Sequence, residues 1–451
     1  MTTRIDAPAA RMGPRQKAVL ALLLGTQFML AADFSIFNVA LPAVGRGVGL
    51  GLDTLQWVAT AYALPAAGFT LLFGRVADLA GRRRMLVIGL GLLTAASVFG
   101  GTAHTPAALL SARAVQGLST AIAAPAALSL ITTAFPEGPL RARALGLNGA
   151  VTAAGFTCGA LLGGLLTGFW SWRWAFLVNV PVALVILVAV LRLVPEGRGR
   201  TSRLDLPGAI TVTLGLLALV WGVTTGGLAR WALVPAAVLL AAFWIVELRS
   251  PDPLAPVHIL RRRTVGLGVL GGLTTVSMAT GATFLMTVHL QDTLGLDAAS
   301  TGLAFGAAGL LALAGGAVAP RLIGPMDASG VLALGLALQG VSAAGLLAAG
   351  NAWWVVAALA ACYFGNMVAV VAYVVTVTSG LPDHEQGLAT GLSAMAQQVG
   401  MTIGIPLLSS IATTPEGVHP AIAVNAAVTL VAAILIRLLS RVRPQSSMST
   451  P

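Results

Sequence analysis

Charge is what this 451-residue chain has least of. Only 9% of its residues are Asp, Glu, Lys or Arg, in the proportion of 15 acidic to 26 basic, where a soluble domain carries about a quarter. That is too little to coat the water-facing surface of several domains, so the length-based expectation of roughly three soluble domains does not hold. There are two cysteines, Cys158 and Cys362, both inside apolar runs and far apart; they read as small packing residues, which excludes a disulfide scaffold. The five histidines, His104, His258, His289, His384 and His419, are scattered over different segments. No metal-ligand spacing and no phosphate-binding glycine loop occurs, so a metalloenzyme and an ATP-driven pump lack their basic parts. Intrinsic disorder is excluded by the 57% hydrophobic content.

Long apolar runs are what the chain has instead, and the mean hydropathy is +0.90. A bilayer core needs about 20 apolar residues per helix. Runs of that kind lie near 18–44, 54–77, 84–104, 106–132, 141–168, 174–194, 206–226, 231–248, 264–290, 299–319, 328–350, 352–379, 385–412 and 420–440, which makes fourteen. Gly, Pro or charge separates most of them, as in FPEGPLRAR and GLPDHEQG. With the N-terminus in the cytoplasm, every basic loop residue falls inside except Arg46, Arg173 and Arg230, as the positive-inside rule requires. Both termini are therefore expected in the cytoplasm. Residues 1–17 lack a cleavage site beside a short apolar core, so the first helix is expected to stay as an anchor. The net charge of +11 then reflects membrane orientation; no aromatics interleave a basic patch as a nucleic-acid groove would need, so no nucleic-acid partner is expected.

The two halves of the chain echo each other. GRVADLAGRRRMLVIGLGLL (74–93) aligns with PRLIGPMDASGVLALGLALQ (320–339), matching Arg75 to Arg321 and Gly89-Leu90 to Gly335-Leu336. The expected organisation is an N-terminal tail (1–17), a six-helix bundle (18–194), an inserted helix pair with its linkers (195–263), a second six-helix bundle (264–440) and a C-terminal tail (441–451). Repeated halves around a midplane site are how many secondary transporters are built.

A charge at the centre of a membrane helix costs roughly 2.5–3.5 kcal/mol on insertion scales, so the ones that remain are informative. Two stand out: Asp33 in the first helix and Arg113 in the fourth. Both fall in the outer half of the membrane, where they could meet across the bundle, as a buried packing pair or as a protonatable carboxylate held by a guanidinium. The second half has no such acid, which suggests one proton per cycle. Glu247 and His289 sit near helix ends, where snorkelling explains them. Gly155, Gly159 and Gly163 form GxxxGxxxG on the fifth helix, with Gly164 directly after, a pattern that lets a neighbouring helix come close. In GRVADLAGRRRML, Gly74 and Gly81 bracket a tight turn with Asp78 four residues from Arg82, a cluster able to latch helix ends.

These motifs resemble the major facilitator superfamily, specifically its 14-helix drug:proton antiporter branch, along essentially the whole chain. GRVADLAGRRRML looks like the family's loop-2–3 signature, RAVQGLSTA (113–121) like its helix-4 signature and LAADFSIFNVALP (30–42) like the branch's helix-1 signature. GFTCGALLGG (155–164) is similar to the antiporter motif of helix 5, and WRWAFLVNVP (172–181) to the family's next segment. The resemblance implies an all-α polytopic membrane protein of the major facilitator fold, two six-helix bundles plus two inserted helices. It implies proton coupling by Asp33 and Arg113, with Gln116 and Gly117 in the same helix-4 motif. It implies a conformational gate at Gly74, Asp78, Gly81 and Arg82 and an interdomain hinge at Gly155, Gly159, Gly163 and Gly164. Two departures stand out: Ala160 replaces the Pro usual in the antiporter motif, and Leu79 stands where a basic residue is frequent.

The function expected is proton-coupled export of lipophilic, monovalent cationic or neutral drugs, antibiotics or secondary metabolites, driven by the proton motive force with no cofactor and no metal. Two alternatives are a transporter of a physiological metabolite or lipid and a membrane-embedded enzyme or sensor. The expected cavity lining is Phe34, Phe37, Trp57 and Tyr62 from the first half and Met278, Met286, Tyr363, Asn366 and Gln397 from the second, since aromatics and Met suit adaptable apolar recognition. The expected partners are a small lipophilic substrate, protons and membrane lipids, around a monomer in a bacterial cytoplasmic (inner) membrane.

Overall fold

A computed structural model describes residues 12–51, 54–135, 139–195, 205–225, 227–250, 259–260, 262–348, 350–381, 383–412 and 417–441. The rest of the expected tails and linkers (1–11, 196–204, 251–258, 261 and 442–451) lies outside the described residues. The apolar runs fold as helices because, without water, each backbone N–H and C=O must be satisfied within its own segment. Among the described residues there are fourteen long helical elements. The first six are α1 (Pro14–Val48), α2 (Trp57–Ala80), α3 (Arg82–Gly101), α4 (Pro106–Ala134), α5 (Pro139–Phe169) and α6 (Trp174–Leu193, with a turn at Val178). Then come α7 (Leu206–Thr225), α8 (Leu233–Arg249), α9 (Arg263–Val288), α10 (Ala298–Ile323), α11 (Ala328–Gly345), α12 (Ala352–Thr378), α13 (Asp383–Ala412) and α14 (Val418–Arg441).

Side chains set several of the starts. Thr105 accepts from the Ala108 amide ahead of Pro106, and Asp297, Asp327 and Asn351 accept from Ser300, Gly330 and Trp354 to cap α10, α11 and α12. Each of these oxygens satisfies a donor that the first helical turn leaves free. Twelve elements are long and apolar enough to cross a membrane by length and composition alone. The two others are α7, whose apolar stretch Pro207–Val223 is short, and α13, which carries Gln397, Gln398 and Thr402 into the interior.

The packing repeats with a period of eight helices. In the first half α1 lies on α5, α2 and α3 lie on α4, and α3 meets α6; in the second α9 lies on α13, α10 and α11 on α12, and α11 meets α14. The halves join mainly along α5 with α10 and α2 with α13. The inserted α7 packs on α8 and also on α2 and α13. An even number of crossings puts the start of α1 and the end of α14 on one face, here called the terminus side.

The four glycines of α5 divide by direction. A Cβ on Gly155 would lie 2.6 Å from the Phe28 carbonyl oxygen, and those on Gly159 and Gly163 would collide with the carbonyls of Ala32 and Ile36. All three therefore seat α1, within one half. Gly164 is one residue, about 100°, further round the helix; its Cβ would lie 2.5 Å from the Ala298 oxygen and the Gly302 Cα on α10. The hinge expected of all four thus has an interface between halves at Gly164 alone.

Candidate functional site

The middle of α1 brings Asp33 against α4, and both Asp33 and Arg113 are fully buried. Arg113 Nη1 lies 3.8 Å from Asp33 Oδ2. The remaining partners come from five helices, α1, α2, α3, α4 and α6. Gln116, one turn along α4, accepts from Arg113 Nη1 at 2.9 Å and donates to Asp33 Oδ1 at 3.1 Å and to Ser97 Oγ at 3.1 Å. Asn179, just past the turn in α6, donates to the same Asp33 Oδ1 at 2.5 Å. The Arg113 Nε donates to the Val58 carbonyl at 3.1 Å. Its guanidinium carbon sits 4.0 Å from the centre of the Phe37 ring and 4.4 Å from that of Tyr62, an attraction to the negative ring faces that strengthens out of water.

The network treats the two charges differently. Asp33 Oδ1 takes two amide donors, whereas Oδ2 and Arg113 Nη2 have no hydrogen-bond partner. The carboxylate thus keeps one oxygen open to a proton. The guanidinium, meanwhile, is held by two rings, a carbonyl and an amide that do not depend on Asp33. Among the described residues the buried acids are Asp33, Asp205 and Glu247, and none lies in the second half. There the buried polar cluster is neutral: Thr275 Oγ1 donates to Gln339 Oε1 at 2.5 Å, and Gln339 and Asn366 both donate to the Thr275 carbonyl.

A cavity of about 550 Å³ begins beside this pair, within the range of drug-sized sites. Its inner end is formed by Phe34, Tyr62, Thr120, Phe156, Met401 and Thr402, and it runs to Gly74, Arg75 and Asp78 at the terminus-side end of α2. Asp33 is outside the lining, behind Phe34 and Tyr62, whose rings lie 5.6 Å apart. The Tyr62 hydroxyl shares a 2.7 Å hydrogen bond with Thr120. The polar groups of the inner part are uncharged: Gln27, Thr70, Asn148, Thr152, Gln397 and Gln398.

On the side opposite the termini the halves are closed. One apolar core there draws on both, from Ile36–Leu41 and Trp172 to Phe284, Phe305 and Leu408. Gln291 Nε2 donates across to the Val39 carbonyl at 2.8 Å, Ser409 bonds Gln56, and Arg46 pairs with Asp292 at 3.7 Å.

The residues expected from sequence divide between this site and the packing around it. Asp33, Arg113 and Gln116 form one network, and Gly117 lets α2 approach it, since a Cβ there would collide with the Tyr62 carbonyl. Phe34, Tyr62 and Gln397 line the cavity, as do Gly74 and Asp78. Phe37 packs instead on Phe176, with ring centres 4.5 Å apart, and Trp57 on Trp221 at 5.5 Å. Met278 and Met286 are buried packing residues. Tyr363 bonds Thr283 at 2.6 Å and stacks on Phe305, while Asn366 is bonded to Thr275. Asp78 accepts from Arg82 at 2.8 Å and from Ser129 at 3.4 Å, all in one half, at a turn where Gly81 takes a φ of 101°. Asn179 and Ser97 join the Asp33–Gln116 network although sequence reasoning does not single them out; the signal available for Asn179 is a lone amide within the apolar WRWAFLVNVP.

Residues 23–405 and 331–451 match the Major Facilitator Superfamily. The chain belongs to that superfamily, one of transporters. Among its relatives, the cephamycin export protein CmcT of Amycolatopsis lactamdurans is 34% identical over 93% of this chain and 90% of its own. The puromycin resistance protein pur8 of Streptomyces alboniger is 36% identical over 89% and 82%. The multidrug resistance protein Stp of Mycobacterium tuberculosis is 32% identical over 85% and 73%. Among solved structures, the POT family transporter PepTSo superimposes with a TM-score of 0.75 at 16% identity, over 96% of this chain and 98% of that one. At that identity the likeness concerns the major facilitator fold alone.

Proposed function

We propose that this superfamily member is a proton-coupled exporter of lipophilic antibiotics or secondary metabolites, monovalent cationic or neutral. The observation that carries the reading is the position of Tyr62, one ring shared between the Arg113 guanidinium and the cavity wall. Occupancy of the cavity and the charge state of Asp33 then act on the same side chain. The names of the relatives, an exporter and two resistance proteins, support the substrate class, and the neutral, largely apolar lining suits it.

In this reading Asp33 takes its proton at Oδ2, while the amides of Gln116 and Asn179 steady Oδ1. Arg113 stays in place through Phe37, Tyr62, Val58 and Gln116 when the carboxylate is neutral, so protonation changes the net charge of the site without dismantling it. Basic loops put the terminus side in the cytoplasm of a bacterial cytoplasmic membrane, so the cavity faces inward, ready to load substrate. Exchange against one proton draws on roughly 2.3 kcal/mol per 100 mV and about 1.4 kcal/mol per pH unit. Together these sustain a gradient of a few hundredfold for a neutral substrate at 1:1. The chain works as a monomer among lipids, with no cofactor, and the function proposed is transport and not catalysis.

The test is survival and dye accumulation in an efflux-deficient bacterium making the wild type or Asp33→Asn at matched membrane levels, across a panel of lipophilic compounds. Protection by the wild type that the variant loses is expected. Equal protection by both would remove Asp33 from coupling, and protection by neither would turn the reading towards a dedicated metabolite transporter.

A further inference from the structure

The inserted pair has no counterpart in the repeat of six and six, yet it is not peripheral. α7 shows two faces. Ala209, Val212, Leu216 and Val220, at steps of three and four residues, are buried, as is Thr213, while Ile210, Leu214 and Trp221 on the other face are exposed. The buried face meets α2 and α13 together, so α7 lies along the seam where the two halves meet. Thr213 Oγ1 donates to the Gly68 carbonyl of α2 at 2.5 Å, tying the two helices together at that level. Nearer the closed side, Trp221 packs on Trp57. Between these anchors Leu216 reaches the cavity, beside Leu71 of α2 and Leu392, Met395 and Val399 of α13. α8 backs α7 from the lipid side, with Leu240 and Leu233 seated over Gly215 and Gly222.

We propose that α7 is a wall of the substrate cavity, closing the seam between α2 and α13 against the lipid, and that Leu216 is a specificity-determining contact for the lipophilic substrate. The identity of the ligand rests on the export reading above; the place of α7 in the wall does not. Leu216 supplies the cavity with apolar surface at a point where α2 and α13 alone would leave the site open sideways to acyl chains. Its bulk then helps to set which compounds fit, and a change of a methylene or more in such a pocket is worth about tenfold or more in discrimination.

The test places single cysteines at Leu216→Cys and Leu214→Cys in a chain whose Cys158 and Cys362 are replaced by alanine. A water-soluble methanethiosulfonate is expected to modify position 216 through the cavity and leave 214, on the lipid face, untouched; modification of 214 alone, or of neither, overturns the wall. A lipophilic dye that the wild type expels, Hoechst 33342 first, is expected to slow modification at 216 when present at saturating concentration. Leu216→Trp is expected to lower protection against the bulkiest exported compounds about tenfold, with Leu214→Trp unchanged. Modification at 216 that no exported dye slows, together with equal behaviour of the two Trp variants, overturns the specificity role. If the wild type expels nothing, the export reading fails, while the labelling contrast between 216 and 214 still decides the wall.

Discussion

At the residue scale the site depends on how one guanidinium is kept in a dry place. Burying Arg113 is tolerable because Asp33, Gln116, the Val58 carbonyl and two ring faces all address it. Tyr62 separates the contributions. Tyr62→Phe keeps the ring over Arg113 and loses only the bond to Thr120, so transport within a few fold of wild type is expected, in line with about 1 kcal/mol for a hydrogen bond. Tyr62→Leu removes the ring face as well, and a loss of about tenfold or more is expected, with drug-stimulated proton flux falling along with substrate affinity. Initial rates in proteoliposomes check both; equal behaviour of the two variants would count against the ring. The pairing of Asp33 with Arg113 is legible in the sequence because two opposite charges in apolar helices need each other. Asn179 and Ser97 are harder to read, since a lone amide or hydroxyl in an apolar run does not say which neighbour it meets.

At the element scale, apolar run length fixes the helices, and caps fix where some of them start. Asp327 caps α11 through the Gly330 amide and also takes Ser329 and Arg437 of α14. The Ser329 hydroxyl first, then the Gly330 amide and Arg437, hold its carboxyl below the usual carboxylate range. Because the folded-state value is depressed, this stabilisation is present at neutral pH and is lost as pH falls through that depressed value. Asp327→Ala is expected to cost about 1 kcal/mol, as N-cap removals do, whereas Arg437→Leu removes a half-exposed ion pair worth well under that. Thermal unfolding in detergent at neutral pH, followed by tryptophan fluorescence, should rank them in that order; a larger effect from Arg437 would place the stabilisation in the ion pair. The fourteen runs are legible because spanning helices must be long and apolar. The direction of the α5 glycines is not: GxxxGxxxG announces a close approach, but only the fold assigns three glycines to α1 and Gly164 to α10. For the same reason Met278, Met286, Tyr363 and Asn366 cannot be told from cavity residues in the sequence, because Met, aromatics and amides serve packing as readily as binding.

At the scale of the whole molecule, the halves touch on the side opposite the termini and enclose a cavity toward the terminus side. That arrangement makes the closed side a place to arrest the cycle. Arg46 and Asp292 face each other across the halves at 3.7 Å between side-chain tips, so Arg46→Cys and Asp292→Cys, bridged by a bis-methanethiosulfonate long enough to replace the reach of the lost side chains, are expected to stop transport, with recovery on reduction. Undiminished transport by the cross-linked protein would mean that this side does not open. The coupling proposed here joins movement of substrate and of a proton through Asp33, and proton flux measures it directly. Purified protein in liposomes containing a pH-sensitive dye is given an exported compound with no imposed gradient. Proton movement against the substrate is expected from the wild type, and none from Asp33→Asn in equally loaded vesicles. Proton movement of wild-type size from Asp33→Asn would mean that coupling does not run through Asp33.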